Sequence, residues 1–545
     1  MTPCGETIPE LFASAVDTFA DSVYLQLRQG DTMLSESYGQ VARDVLAITE
    51  RIQRAGYVKG DRIGLLSENS ADWVKTYLGI LGAGCIVVPI DSLMPEPEIE
   101  NVLKMASTRL LFCSERFFER FRDAGVACQV IQIGSLPEAL SDVKGSLRTM
   151  DLTSNDIATI IFTSGTTGHS KGVVLTHGNL VSNVLACRRV CEIRHEDNFL
   201  LLLPLHHTFA STVTMLLPIA TGARATIATS YRSRDVVDDI RVSRVTVLVG
   251  VPQIFENIKN SIERAVDSAP AFKRAMFLSL LMISRSAAIF GLKPGFQLFR
   301  SLRAKAGLNS VRLMVSGGAA LPLFVNRFFE NLGFTLIQGY GLTECSPVLS
   351  VNLPGRNKLG SVGPALPGVR LEIRNPNEFG IGEVCASGPN VMQGYFENPE
   401  ASAQVLRDGW FYTGDAGYLD ADGYLHLTGR IKNVIVTSAG KNVYPEELES
   451  KLAAHPAIAE ALVLAVQRKD GKGEQLCAIL KLDEEYLERN ASGLPAEDIA
   501  AEAVKSFNRS SASYQSIREW RVLNDDFHKT STRKIKRHLY RDFFK

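Results

Sequence analysis

Short apolar runs and amphipathic stretches take turns along the first part of this chain. Segments 23–28, 62–67 and 86–90 are compact apolar runs bounded by turn residues, whereas 38–55 and 70–84 repeat apolar residues at helical spacing. This alternation predicts an α/β layer fold. The same texture continues through 225–229, 245–249, 311–316 and 335–338, each run ending where Gly, Ser or Pro gather. Loops at such strand ends are where an α/β protein binds its ligand. After Val369 the pattern shifts to shorter strands, 369–374 and 382–386, with a Gly423 turn after Asp420 and Asp422. A separate β-rich lobe over about 369–430 is the expectation. Beyond Gly429-Arg430-Ile431-Lys432-Asn433, a strand at 434–437, a helix at 445–454 and a strand at 461–466 predict a compact α+β domain. The reading is thus an N-terminal part, 1–430, of two α/β layers plus the β-rich lobe, and a small C-terminal domain, 431–545.

Composition narrows the function classes. The 545 residues carry 59 Lys and Arg against 59 Asp and Glu, so no net positive field marks a nucleic-acid partner. Any anion must be bound locally. Nine cysteines lie without the C-x-x-C spacing of a zinc or redox site, and are read as reduced thiols of a cytoplasmic protein. Cys187 and Cys191, with His177 and His195 nearby, are read as small packed side chains ahead of a metal site. The N-terminus has no basic and apolar export pattern, and no run reaches the length of a membrane span.

The most informative segment is the apolar run 157–162 followed by Thr163-Ser164-Gly165-Thr166-Thr167-Gly168-His169-Ser170-Lys171-Gly172. Glycines let successive N–H groups converge on an anion, hydroxyls add donors, and Lys171 supplies a point charge. A polyphosphate is the natural ligand. The order is not that of a Walker loop, because Ser170 precedes the lysine and 173–176 reads as a second strand rather than a helix.

With this loop and six further blocks, the sequence resembles the adenylate-forming superfamily of acyl- and aryl-CoA ligases, luciferases and peptide-synthetase adenylation domains. In order the blocks are Leu203-Pro204-Leu205-His206-His207, Ser316-Gly317-Gly318-Ala319, Gln338-Gly339-Tyr340-Gly341-Leu342-Thr343-Glu344, Gly409-Trp410-Phe411-Tyr412-Thr413-Gly414-Asp415, Gly429-Arg430-Ile431-Lys432, and the run 530–537 containing Lys534. The resemblance spans nearly the whole chain and implies ATP, Mg²⁺ and CoA as ligands and a mobile C-terminal domain.

Such chemistry suits these residue types. A carboxylate is a poor electrophile, and its conversion to a mixed anhydride with AMP needs charge neutralisation and in-line positioning more than a protein nucleophile. Glu344 suits a Mg²⁺ that bridges phosphate oxygens, and the Thr343 hydroxyl suits the α-phosphate. Tyr340 offers a flat face for adenine beside Gly317, Gly318 and Ala319. By resemblance, Asp415 holds the ribose hydroxyls with Arg430 assisting, and Lys534 contacts the substrate carboxylate and α-phosphate. Lys536 competes for that role, and Arg533 stands where the family has glycine. Lys432 maps to the hinge, and Gly440 and Lys441 map to the face presented to CoA.

Around His207, which the family places at the acyl pocket, Phe209, Val249 and their neighbours are apolar and favour an alkyl chain. The helical insertion at about 254–308 looks most like bacterial long-chain fatty acyl-CoA synthetases. Residues 268–329 hold nine Lys or Arg and no Asp or Glu among many Phe, Leu and Met. That pattern is open to two readings: peripheral docking on the anionic inner face of a membrane, or a helical pair with solvated basic edges. The expected function is ATP-dependent formation of a fatty acyl-adenylate and transfer to CoA. The rivals are a ligase that loads a carrier protein, and a non-catalytic acyl or nucleotide binder.

Overall fold

The computed structural model describes residues 3–30, 32–123, 128–134, 151–163, 170–290, 292–436, 441–467, 474–490, 494–529 and 535–544. The chain divides into two compact units, residues 1–371 with 386–411, and residues 372–385 with 412–545. The α/β reading holds for the first unit, whose strands assemble into two large mixed sheets. One has eight strands in the order Val348–Val351, Leu336–Gly341, Leu313–Ser316, Val247–Gly250, Asn198–Leu201, Arg224–Ile227, Val23–Gln29, Thr32–Ser37. The other has seven, in the order Gly394–Tyr395, Lys171–Thr176, Ile157–Thr163, Ile86–Ile90, Arg62–Leu66, Leu110–Cys113, Gln129–Gln132. Central strands such as Ile86–Ile90 are buried along their whole length, which is why they read as unbroken apolar runs.

Helices begin where a side chain can take up the unpaired N–H groups of a first turn. Thr7 and Glu10 form a capping box on Ile8–Phe19, Ser37 and Gln40 do the same for Tyr38–Arg54, and Ser70 caps Ala71–Gly82. A single large cluster, including Trp73, Tyr77, Phe12, Tyr24 and Tyr38, packs these helices against strands of both sheets. A second cluster, with Phe255, Phe299 and Phe329, lies under the helices at 252–305.

In the second unit, the strands Ile458–Gln467, Glu474–Leu482 and Ile517–Val522 form a three-stranded sheet covered by the helices Pro445–Leu452 and Ala496–Ser510. The strands Trp410–Leu419 and Leu425–Arg430 pair antiparallel, with Asp415 opposite Arg430. The three-stranded sheet with its two helices is the α+β texture that the sequence predicts for 431–545, whereas the 410–430 hairpin falls in the segment read as the β-rich lobe.

Candidate active site

The phosphate-loop candidate joins two antiparallel strands, Ile157–Thr163 and Lys171–Thr176, in which Thr163 stands opposite Lys171. The second strand therefore starts two residues earlier than its apolar run suggests, and Lys171 becomes its first position. The Thr163 hydroxyl donates to the Lys171 carbonyl at 3.5 Å and closes the hairpin. Ser164, Gly165, Thr166, Thr167 and Gly168 lie outside the described residues. On the far side of Lys171–Thr176, the short strand Gly394–Tyr395 pairs in, with Tyr395 opposite Val173 and the Phe396 N–H donating to the Gly172 carbonyl at 2.7 Å. Tyr395 then links two predicted site residues. Its ring lies 5.0 Å from Lys171 Nζ, and its hydroxyl donates to Glu344 Oε1 at 2.9 Å. Sequence patterning does not mark Tyr395, because its strand is only two residues long and its partners are distant in the chain.

Glu344 is carried on a Thr343–Cys345 turn that follows the strand Leu336–Gly341. Three contacts fix that turn: the Glu344 carbonyl accepts from the Met392 N–H at 2.9 Å, and Asn390 Nδ2 donates to the carbonyls of Cys345 and Val348. Asn183 holds Val348 from the other side, donating to its carbonyl and accepting from its N–H. Gly341 is obligatory here, because a Cβ on it would lie 1.8 Å from the Pro347 carbonyl oxygen. Tyr340, opposite Ser350, packs half-buried against the main core.

The adjacent strand delivers Gly317, Gly318 and Ala319, with Ser316 in register with Gln338. The Gly317 N–H donates to the Gly250 carbonyl at 3.0 Å, and a Cβ at Gly317 would approach the Phe209 ring to 2.6 Å. Phe209, an acyl-side candidate, thus covers a nucleotide-side glycine, so the two predicted subsites share a wall. Val249 is fully buried in the core opposite Val315.

His206 and His207 follow a turn that Asn69 clamps, donating to the Leu203 carbonyl and accepting from the Leu205 N–H. Their rings lie 4.1 Å apart, and His206 Nε2 is 3.5 Å from Asp91 Oδ1. Burial holds both imidazoles below their ordinary value, His206 well below, so both are neutral near pH 7. Among the described residues, Asp91, His206 and His207 are the one group of three His, Cys, Asp or Glu whose ligand atoms all fall within 4.8 Å of one another. The residues near Cys187 and Cys191 have other partners: His177 Nδ1 accepts from the Ile8 N–H, and His195 stacks on Phe19. Both thiols are buried, and burial raises their pKa.

In the second unit, Arg430 Nε donates to Asp415 Oδ1 at 2.7 Å, pairing the two residues assigned to the ribose. Asp415 is further set by its N–H donating to the Thr413 hydroxyl, which itself donates to the Val384 carbonyl. Lys432 lies exposed in the Ile431–Asn433 turn, and the neighbouring Asn433 amide donates to Glu446 Oε1. Arg537 pairs with Glu446 and Glu449 and donates to the Val463 carbonyl. Burial pushes the Glu449 carboxyl up to about 7 against the pull of Arg537. Lys441 Nζ is 2.7 Å from Glu378 Oε1. Gly440 and Lys534 lie outside the described residues; Lys536, the competitor for the role of Lys534, is described, and its N–H donates to the His528 carbonyl.

Residues 12–396 match the family model for AMP-binding enzymes, and residues 447–534 match that of the AMP-binding enzyme C-terminal domain. The chain belongs to the AMP-binding enzyme family. Among relatives in this family, the long-chain-fatty-acid–CoA ligase FadD15 of Mycobacterium bovis is 31% identical, over 96% of this chain and 93% of its own. The chloroplastic long-chain-fatty-acid–[acyl-carrier-protein] ligase AEE15 of Arabidopsis thaliana is 26% identical, over 94% of this chain and 80% of its own. The ATP-bound crystal structure of MatB from Rhodopseudomonas palustris shares the AMP-binding enzyme fold, with a TM-score of 0.79, 24% identity, and coverage of 99% of this chain and all of that one.

Proposed function

We propose that this AMP-binding enzyme is an ATP-dependent acid–thiol ligase that activates a medium- to long-chain fatty acid as its acyl-adenylate and transfers the acyl group to CoA, releasing AMP and pyrophosphate. The observation that carries the adenylation step is the chain Lys171–Tyr395–Glu344, which joins the loop cation to the acid proposed for Mg²⁺. The fatty-acid and CoA assignments draw on the similarity to FadD15 along almost the entire length of both chains.

Glu344 fits a hard divalent cation: it offers carboxylate oxygens, and the Tyr395 hydrogen bond orients them. A bound Mg²⁺ supplies neutralisation of phosphate charge. On this reading Lys171 and the Thr163–Gly168 loop hold the β- and γ-phosphates, and Thr343 donates to the α-phosphate. Tyr340 stacks on adenine beside Gly317, Gly318, Ala319 and Gly341. Asp415 accepts from the ribose hydroxyls, with Arg430 holding its carboxylate in place. His207, Phe209 and Val249 belong to the acyl side, and the neutral imidazole of His207 keeps cationic charge away from an alkyl chain. Lys534 brings a cation to the junction of acyl oxygen and α-phosphorus during adenylation. The domain 431–545 then swings about Lys432, withdrawing Lys534 and presenting Gly440 and Lys441 to CoA. The working compartment is the cytoplasm.

The similarity to the AEE15 ligase supports a second reading, in which a carrier protein takes the acyl group. Pyrophosphate release over a panel of carboxylic acids, with and without CoA, tests both. The expected result is turnover with long-chain acids that yields acyl-CoA. Release without thioester formation favours carrier loading, and no release with any acid overturns adenylation.

A further inference from the structure

The helix Ala271–Ile289 has two apolar faces, and the described residues pack against only one of them. Phe277, Leu280 and Leu281 pack on the second hydrophobic cluster, Phe277 meets the edge of Phe299, and the Ser284 hydroxyl donates to the Asn331 carbonyl. These positions follow i, i+3, i+4, i+7 and define the inner stripe. On the opposite side Phe272, Met276, Met282 and Ile283 are exposed, and the patch continues past the helix end through Phe290 and Leu292. Phe272 is 77% exposed and Phe290 is 80% exposed. A surface helix normally turns polar residues outward, and a contiguous apolar patch marks an interaction face.

Charge selects the partner. Residues 268–329 contain nine Lys or Arg and no acid, and Lys273, Arg274, Arg285 and Arg300 are all exposed. Along the chain the nearest acids are Asp267 and Glu330, which pair with Arg274 and Lys293. A second copy docked about a two-fold axis would bring basic rim against basic rim. An anionic bilayer complements both features, taking the apolar side chains into the acyl boundary and the cations among headgroups. No helix among the described residues is long and apolar enough to cross a membrane, so the contact is peripheral.

We propose that the outer face of Ala271–Ile289, with the exposed side chains of Phe290 and Leu292, is a docking surface for anionic lipid bilayers. Fatty acids dissolve in such bilayers, so on the ligase reading above docking brings the enzyme to its substrate. The test omits ATP, acid and CoA and therefore succeeds or fails independently of that reading. The full chain is sedimented at low salt with vesicles of equimolar phosphatidylglycerol and phosphatidylcholine, and with phosphatidylcholine alone. Binding is expected to the anionic vesicles and to fall at high salt. Phe272→Ser/Met282→Ser/Phe290→Ser should weaken it about tenfold or more. Lys273→Glu/Arg285→Glu should weaken it about fivefold or more for each charge replaced. Unchanged circular-dichroism melting confirms that the variants are folded. Absence of binding to anionic vesicles at low salt overturns the proposal, as does binding that survives both sets of substitutions. A wild-type dimer in light scattering that the triple variant converts to monomer also overturns it, by assigning the face to self-association.

Discussion

Replacing Tyr395 by Phe removes one hydroxyl and leaves the ring in place, which separates two contributions at the centre of the site. The hydroxyl donates to Glu344 Oε1 at 2.9 Å, whereas the ring lies 5.0 Å from Lys171 Nζ. A hydrogen bond to a charged group contributes about 1.5–3 kcal/mol, and the half-buried setting of Tyr395 favours the lower part of that range. A loss of about 1.5–2 kcal/mol corresponds to about a 10- to 30-fold slower adenylation. Because the bond orients the acid proposed for Mg²⁺, the loss should be greatest at limiting Mg²⁺ and partly recovered by excess. Tyr395→Leu also removes the cation–π contact, worth about 0.5–1 kcal/mol at an exposed site, and should be several-fold worse than Tyr395→Phe at every Mg²⁺ concentration. The assay is pyrophosphate release against Mg²⁺ concentration, with thermal melting as the control for folding. If Tyr395→Phe matches the wild type at limiting Mg²⁺, the hydroxyl does not position Glu344. If the Phe and Leu variants are equally impaired, the ring contact with Lys171 contributes nothing.

Three further outcomes are expected. Lys534→Ala should lose adenylation by about a hundredfold or more while still converting supplied acyl-AMP and CoA to thioester, and equal loss of both half-reactions in separate assays would refute the two-conformation scheme. Gly341→Ala forces a Cβ toward the Pro347 carbonyl oxygen and should cost about 3 kcal/mol in urea unfolding, with adenylation falling as the Glu344 turn is displaced. His177 is buried with its pKa pushed down from 6.5 to about 4 by burial, an effect that the nearby Asp156 and Glu10 only partly oppose. The unfolded chain therefore takes up a proton that the folded chain refuses. Stability from this group is complete above pH 6.5 and declines as pH falls toward 4, by about 3 kcal/mol in all. Urea midpoints across that window should fall less steeply in His177→Gln than in the wild type, and parallel slopes would refute the assignment.

The chemistry-bearing segments are legible in the sequence because their signals are local. Hydroxyls, glycines and a lysine emerging from an apolar run predict an anion loop, and Gly-Tyr-Gly before Thr343-Glu344 predicts a turn beside a ligand. Tyr395 carries no comparable signal. Its value comes from contact with Glu344, 51 residues earlier, and with Lys171, still farther back along the chain. The same holds for the clamps by Asn183, Asn390 and Asn69, each of them an unremarkable polar residue until its distant partner is known. The outer face of Ala271–Ile289 is a mixed case: the basic, apolar composition is evident in the sequence, but which side chains face solvent depends on the packing of Phe277, Leu280 and Leu281.

By itself, the sequence determined the element types, the α/β character and the family, since periodicity, capping residues and motif spacing act over a few residues at a time. It placed the helices 38–55 and 70–84 within two residues of Tyr38–Arg54 and Ala71–Gly82. The order of strands was decided only by the tertiary structure, which sets Val23–Gln29 between Thr32–Ser37 and the distant Arg224–Ile227. The same is true of the wall shared by Phe209 and Gly317, the neutral state of His206 and His207, and the Lys171–Tyr395–Glu344 connection. These depend on burial and on pairing between segments far apart in the chain, and no local pattern encodes which distant surface will exclude water from a given side chain.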